Sequence, residues 1–341
     1  MATLSNMPGG SLSHTVEFLT PIWRRVLDRK MVRSDENFFD LGGSPDAARA
    51  VFAEINGEFG RELCPLLIYQ APTILKLAAF LDLPEPLLVP PLLPLNNSVS
   101  GVPVFVGHGI GGSVDGLFRL AQGMKSSRPI YGMQARGIDG KQVPHNRIED
   151  MARYHLDAIR RVQPRGPYFL VGYSLSGLIV IEIARRLAES GERIGLLAML
   201  DSYPHIGRMR LKPRVRLNWQ RGKRRVLSLV AKPNRAAGPL MLPSMLAALE
   251  RVKAGQEAAL RSYKPSFYDG KVTFIKASKI SHFPDDPGSV WRHVVREFEC
   301  HSLPCDHVSM LTTHADALAS MIEQLIQKAS ATGIAQVKTE R

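Results

Sequence analysis

Three residues far apart in the chain are of the types that together make a hydroxyl nucleophilic: Ser174, Asp201 and His307. A serine hydroxyl is a weak nucleophile near neutrality. It needs an adjacent general base, itself held in the right tautomer by a carboxylate. Ser174 lies in Gly172-Tyr173-Ser174-Leu175-Ser176-Gly177, between an apolar run and a helical pattern. A sharp strand-to-helix turn of this kind lifts Oγ above a sheet and aims the next backbone N–H, that of Leu175, at the oxygen that gains charge. The usual glycine of the fifth position is displaced to Gly177, leaving Ser176, a residue small enough for the turn to press against its strand. The competing reading, an ordinary turn with a serine helix cap, weakens once the other two members are placed. Asp201 follows the next apolar run, in LDSYP, and His307 follows the last one, in LPCDHVSM. Serine, acid, histidine is the chain order of this kind of site. In these roles His307 takes the Ser174 proton and returns it to the leaving group, while Asp201 stabilises the imidazolium.

A second donor for the oxyanion is expected from the glycine-rich loop 107–112, with the Ile110 N–H as the candidate. Glycines there let backbone approach a substrate carbonyl closely. His108 reads as a hydrogen-bonding residue of this loop, and His155 as a partly buried helix residue. Cys300, His301, Cys305 and His307 cluster, but their spacing fits no common zinc pattern, so no metal is expected. The glycines at 109–112 match neither a dinucleotide fingerprint nor a P-loop.

Positioning such groups takes a framework of strands and helices. Six apolar β-type runs (102–107, 129–133, 168–173, 194–200, 272–277 and 298–303) alternate with helical patterns from residue 102 onward. Continuous apolar runs of this length predict parallel strands covered on both faces. One helix is expected at about 175–190, stopped by Gly191. The stretch 204–261 interrupts the rhythm after Asp201 and reads as a mainly helical lid over the C-terminal edge of the sheet. Residues 11–83 show helical periodicity and no strand. Between them, 84–101 carries Pro84, Pro86, Pro90, Pro91 and Pro94 and reads as a stiff linker. Residues 333–341 read as a patternless tail.

The formal charge of +13 is local. Eleven Lys or Arg residues fall between Arg208 and Arg235, and no Asp or Glu occurs from Ser202 to Leu249. Such a patch suggests a local acidic partner; as a charge run it also has the reading of a solvated face, and no nucleic acid is expected. No run of about 18 apolar residues suggests a membrane span. No signal peptide is evident, and three cysteines, Cys64, Cys300 and Cys305, argue against a disulfide framework. The expected location is cytoplasmic.

With these residues placed, 102–328 resembles the type I thioesterase domains of nonribosomal peptide and polyketide synthetases. The similar segments are VFVGHGIGGSV, RPIYGMQARGIDG, YFLVGYSLSG, LLAMLDSYP and PCDHVSML. The resemblance implies an α/β-hydrolase fold with a helical lid at 204–261 and a domain spanning 102–332. It also implies an acyl-enzyme on Ser174, loaded from a phosphopantetheine thioester, with no cofactor of its own. The segment ENFFDLGGSPDAARAVFAEINGEFGRELCPLLIYQAPTILKLA is similar to an acyl or peptidyl carrier domain, a four-helix bundle. Carriers bear 4'-phosphopantetheine on a serine two residues after paired glycines. Counted without gaps that position is Pro45; Ser44 is the candidate, one residue early, and Asp46 replaces the usual leucine. Ser44 as N-cap, Pro45 at N1 and Asp46 in the first turn also make a strong helix start. The expectation is a free-standing carrier-like plus thioesterase didomain acting on thioesters delivered by its own or a separate carrier or synthetase. An acyltransferase or cyclase using the same serine, and a non-catalytic docking scaffold, are the alternatives.

Overall fold

The structure is a computed structural model and describes residues 12–83, 86–209, 212, 243–279 and 284–339. It divides into two compact units, one built on the helices before Pro90 and one on a sheet with its helices.

In the first unit, α1 spans Leu12–Val26, α2 Pro45–Phe59 and α3 Ile74–Leu81, with a 3-10 turn at Pro65–Tyr69. The third element of the expected four-helix bundle is thus a single 3-10 stretch of 5 residues opened by a proline. Apolar faces close around Leu19, Trp23, Phe38, Phe52 and Ile55, all without exposure. Trp23 meets Phe38 edge-on at 5.0 Å. α2 begins as the residues Ser-Pro-Asp dictate. The Ser44 hydroxyl accepts from Ala47 N–H at 3.2 Å, Pro45 occupies the first helical position, and Gly60 ends the helix in the left-handed conformation at φ 61.

The second unit holds a seven-stranded sheet: β1 (Leu92–Pro94), β2 (Val104–Gly107), β3 (Ile130–Met133), β4 (Tyr168–Tyr173), β5 (Ile194–Leu200), β6 (Tyr268–Ala277) and β7 (Val295–Leu303), in the order β1-β3-β2-β4-β5-β6-β7. β1 pairs antiparallel with β3 and every other pairing is parallel. All four residues of β2 are buried, which requires cover on both faces. The helices supplying it are α4 (Phe118–Gly123), α5 (Ile148–Val162), α6 (Ser176–Glu189) and, last, Ala315–Thr339; α5 packs with α6, and the last helix packs with α4 and β5. Between β5 and β6 runs α7 (Pro243–Ser262), which makes Ala315–Thr339 α8.

Two expectations are corrected. The linker read at 84–101 contains β1, whose Leu93 is fully buried. Three residues at the sheet edge tolerate the neighbouring prolines because one side of the strand needs no partner. The tail read from 333 continues α8 to Thr339. Of the basic segment 208–235, only Arg208, Met209 and Lys212 are among the described residues, so most of the expected lid lies outside them. Arg208 donates from Nε to the Arg261 carbonyl and from Nη2 to the Ser262 carbonyl, both at 3.2 Å, where the carbonyls ending α7 favour a cation.

Candidate active site

Parallel pairing aligns the strand ends that matter. Tyr173 of β4 lies opposite Leu200 of β5, and Leu200 opposite Ile275 of β6. Ser174 and Asp201, each the next residue in its chain segment, therefore leave the sheet at the same edge. The loop after β7 brings His307 to the same place. The His307 ring donates from Nδ1 to Asp201 Oδ2 at 2.8 Å, and its Nε2 lies 3.1 Å from Ser174 Oγ, in position to accept the hydroxyl proton.

Each member is held by its own local device. Ser174 sits at φ 53, a left-handed conformation that costs a non-glycine residue roughly 1–2 kcal/mol. The turn is kept by Ser174 N–H donating to the Leu200 carbonyl at 2.9 Å and by close packing behind it. A Cβ on Gly172 would stand 2.5 Å from the Ser176 carbonyl oxygen, and one on Gly177 would stand 2.1 Å from Ser202 Oγ. This second approach explains why the displaced glycine is needed at 177. Ser176 itself is fully buried and its hydroxyl donates to the His108 carbonyl, tying α6 to the loop after β2.

Asp201 is fully buried, also left-handed at φ 45, and its N–H donates to the Ile275 carbonyl at 2.8 Å. Its second carboxylate oxygen, Oδ1, accepts from Ala277 N–H at 3.3 Å. The carboxylate thus has one oxygen for the imidazole and one for the backbone. Trp291 Nε1 donates to the Ser202 carbonyl at 3.1 Å and fixes the following residue.

His307 is gripped by Tyr173. The rings stack at 4.9 Å and 23°, and the Tyr173 hydroxyl donates to the His307 carbonyl at 2.7 Å. Burial, then the charges of Asp201 and Asp306, push the tyrosine pKa upward, so it remains a donor. Asp306 Oδ1 accepts from Val308 and Ser309 N–H, both at 2.9 Å, and these bonds to Ser309 hold its carboxyl below the ordinary range. Tyr173 occupies an unconstrained position of the serine motif, and no sequence signal marked it.

Leu175 lies where the chain enters α6 and is buried; Ile110 lies in the loop after β2 and is partly exposed. That loop reaches the serine: a Cβ on Gly109 would be 2.9 Å from the Tyr173 ring and 3.7 Å from Ser174 Cβ. His108 is buried, its Nδ1 donates to the Gly109 carbonyl at 2.7 Å, and burial lowers its pKa to about 4. It is a neutral strut. His155 is buried more completely than its helix position suggested, and burial lowers its pKa to about 3. Ser44 belongs to the first unit, at the N-cap of α2, with its hydroxyl half-buried.

A family described as "Thioesterase domain" matches residues 102–326, and one described as "Phosphopantetheine attachment site" matches 17–81. A dimodular nonribosomal peptide synthase of Bacillus subtilis (strain 168) is 37% identical over 190 residues, which cover 55% of this chain and 8% of that protein. This chain therefore spans a small part of that relative's length. Among solved structures, a four-domain nonribosomal peptide synthetase bound to AMP and glycine matches 95% of this chain and 27% of its own, at a TM-score of 0.59 and 21% identity. The Vlm2 thioesterase domain, in a structure with a bound dodecadepsipeptide, matches 69% of this chain and 97% of its own, at 0.52 and 21%. At these identities the likeness to solved structures is one of fold: an α/β-hydrolase sheet.

Proposed function

The chain belongs to the thioesterase-domain family, preceded by a phosphopantetheine-attachment domain, and from that premise we propose that it releases an acyl or peptidyl group from a phosphopantetheine thioester through an acyl-enzyme on Ser174. The observation that carries this reading is the continuous path of hydrogen bonds from Asp201 through His307 to Ser174.

The chemistry follows from the groups in place. Ser174 Oγ attacks the thioester carbonyl as His307 Nε2 takes its proton. Buried Asp201 stabilises the imidazolium. The N–H groups of Leu175 and Ile110 receive the oxyanion. His307 returns its proton to the departing thiol, and the acyl group remains on Ser174. An acceptor hydroxyl, amine or water, deprotonated by His307, then attacks the acyl-enzyme, and His307 gives that proton to Ser174 Oγ as the acyl–oxygen bond breaks.

Ser44 is the proposed attachment point for 4'-phosphopantetheine in the first unit. A half-buried hydroxyl at a helix N-terminus fits the group, because the first N–H groups of α2 favour its phosphate. When bound, it supplies a flexible arm ending in a thiol that carries acyl groups as thioesters. The partner is then the carrier or synthetase that loads the thioester. No described helix is long and apolar enough to cross a membrane; the cytoplasm is the proposed location, since Cys64, Cys300 and Cys305 form no disulfide among the described residues.

A serine-directed fluorophosphonate tests the central claim. It should label wild-type protein and leave Ser174→Ala unlabelled; no labelling of folded wild type removes the enzymatic reading. Intact mass after incubation with coenzyme A and a phosphopantetheinyl transferase tests Ser44. A shift that disappears in Ser44→Ala supports attachment, and an unshifted mass removes it.

A further inference from the structure

The loop after β2 is fastened on three sides. The Ser176 hydroxyl holds the His108 carbonyl. Gln134 accepts Val114 N–H at 3.1 Å with its Oε1, and its amide nitrogen donates to the Gly112 carbonyl. The third fastening comes from far along the chain: Gly111 N–H donates to Oε1 of Gln256 on α7 at 2.8 Å. Gly111 and Gly112 are both left-handed, at φ 111 and φ 82. α7 also presses on this corner, since a Cβ on Gly112 would stand 2.7 Å from Val252 Cγ1.

Gln256 is 1% exposed and its orientation is determined. A backbone N–H is only a donor, so the carbonyl end of the amide must face Gly111 and Nε2 must face away. Gln256 also lines a cavity of about 10 Å³ together with His155 and Arg136. Gln256 Nε2, His155 Nδ1 and Arg136 Nε lack a protein partner among the described residues. Burial keeps the His155 ring neutral.

We propose that Gln256 is a positioning residue: its side-chain carbonyl fixes the Gly111 N–H and so keeps the adjacent Ile110 N–H directed toward the oxygen formed at Ser174. This rests on the acyl-enzyme reading above. It makes α7, the first described helix after the basic segment, part of the apparatus that sets the oxyanion loop. A misaligned donor costs less than a deleted one, which removes 10²–10³ in kcat.

The test compares three variants on an octanoyl N-acetylcysteamine thioester, with fluorophosphonate labelling rate as a second readout. Q256M keeps the length and loses the hydrogen bond; kcat and labelling rate should fall about tenfold with KM within about twofold. V252A, which alters packing alone, should retain kcat within about threefold. Wild-type kcat in Q256M beside an inactive Ser174→Ala overturns the role of Gln256 and leaves the triad standing. Equal losses in V252A and Q256M also overturn it, since packing then sets the rate. Turnover that survives in Ser174→Ala sinks the acyl-enzyme reading, and the positioning role with it. If Q256M does not fold, amide exchange in the wild type decides: Gly111 must exchange far more slowly than Ile110, and equal rates overturn the proposal.

Discussion

At the scale of single residues, the site depends on groups that touch the reacting atoms and on others that hold them. Asp201→Asn preserves the shape but offers the imidazole a donor on one side, favouring the wrong tautomer. Its kcat should fall on the order of 10⁴-fold with KM little changed, read by steady-state kinetics on a simple acyl thioester. Tyr173→Phe keeps the stack on His307 and loses the hydroxyl bond to its carbonyl. A single neutral hydrogen bond is worth about 1 kcal/mol, so kcat should drop several-fold and thermal unfolding should come slightly earlier. A loss as large as that of Asp201→Asn would mean that the tyrosine does more than hold the loop. Ser174, Asp201 and His307 were legible in the sequence because residue type, chain order and placement after apolar runs all constrain them. Tyr173 was not, because a side chain that braces His307 through its ring and one hydroxyl leaves no spacing behind. Gln256 was hidden for the same reason: its bond to Gly111 crosses 145 positions and is made by tertiary packing alone.

At the scale of elements, apolar runs gave six strands nearly as they stand; the inner ones are continuously apolar because both faces are covered, whereas β7, at the sheet edge, buries only its ends Val295 and Leu303. β1 escaped that logic. Its prolines mark an extended stretch, and an extended stretch becomes a strand only if an edge is available, which β3 provides. The start of α2 was readable to the residue, since a cap, a proline and an acid each act on the backbone next to them. Ser44→Ala should therefore lower the stability of the first unit by about 1 kcal/mol, measured by denaturant unfolding, whether or not Ser44 is modified. An unchanged midpoint would mean that the cap bond to Ala47 contributes nothing in solution.

At the scale of the whole molecule, two buried histidines set a lower limit in pH. His108 and His155 are held near 4 and 3, chiefly by burial, whereas an unfolded chain protonates its histidines near 6.5. Below about pH 6.5 the unfolded state binds the extra protons, so stability falls as pH falls, and the loss continues until the folded values are reached. By pH 5 each site contributes roughly 2 kcal/mol of destabilisation. Thermal melts at pH 7 and pH 5 should differ accordingly, and His155→Gln should flatten the difference; a flat wild-type profile would contradict it. The basic stretch 208–235 bears on a different global property. If it receives an acidic carrier, salt should slow turnover of carrier-delivered substrate steeply and that of a simple thioester little. Equal sensitivity would return those charges to the solvated surface. Finally, the turn at Ser174 sets endurance against activity at a single position. With φ at 53 the backbone there suits glycine better than serine. Ser174→Gly should melt later than the wild type, so selection for hardiness alone would erode the proposed reaction first at the residue assigned to it.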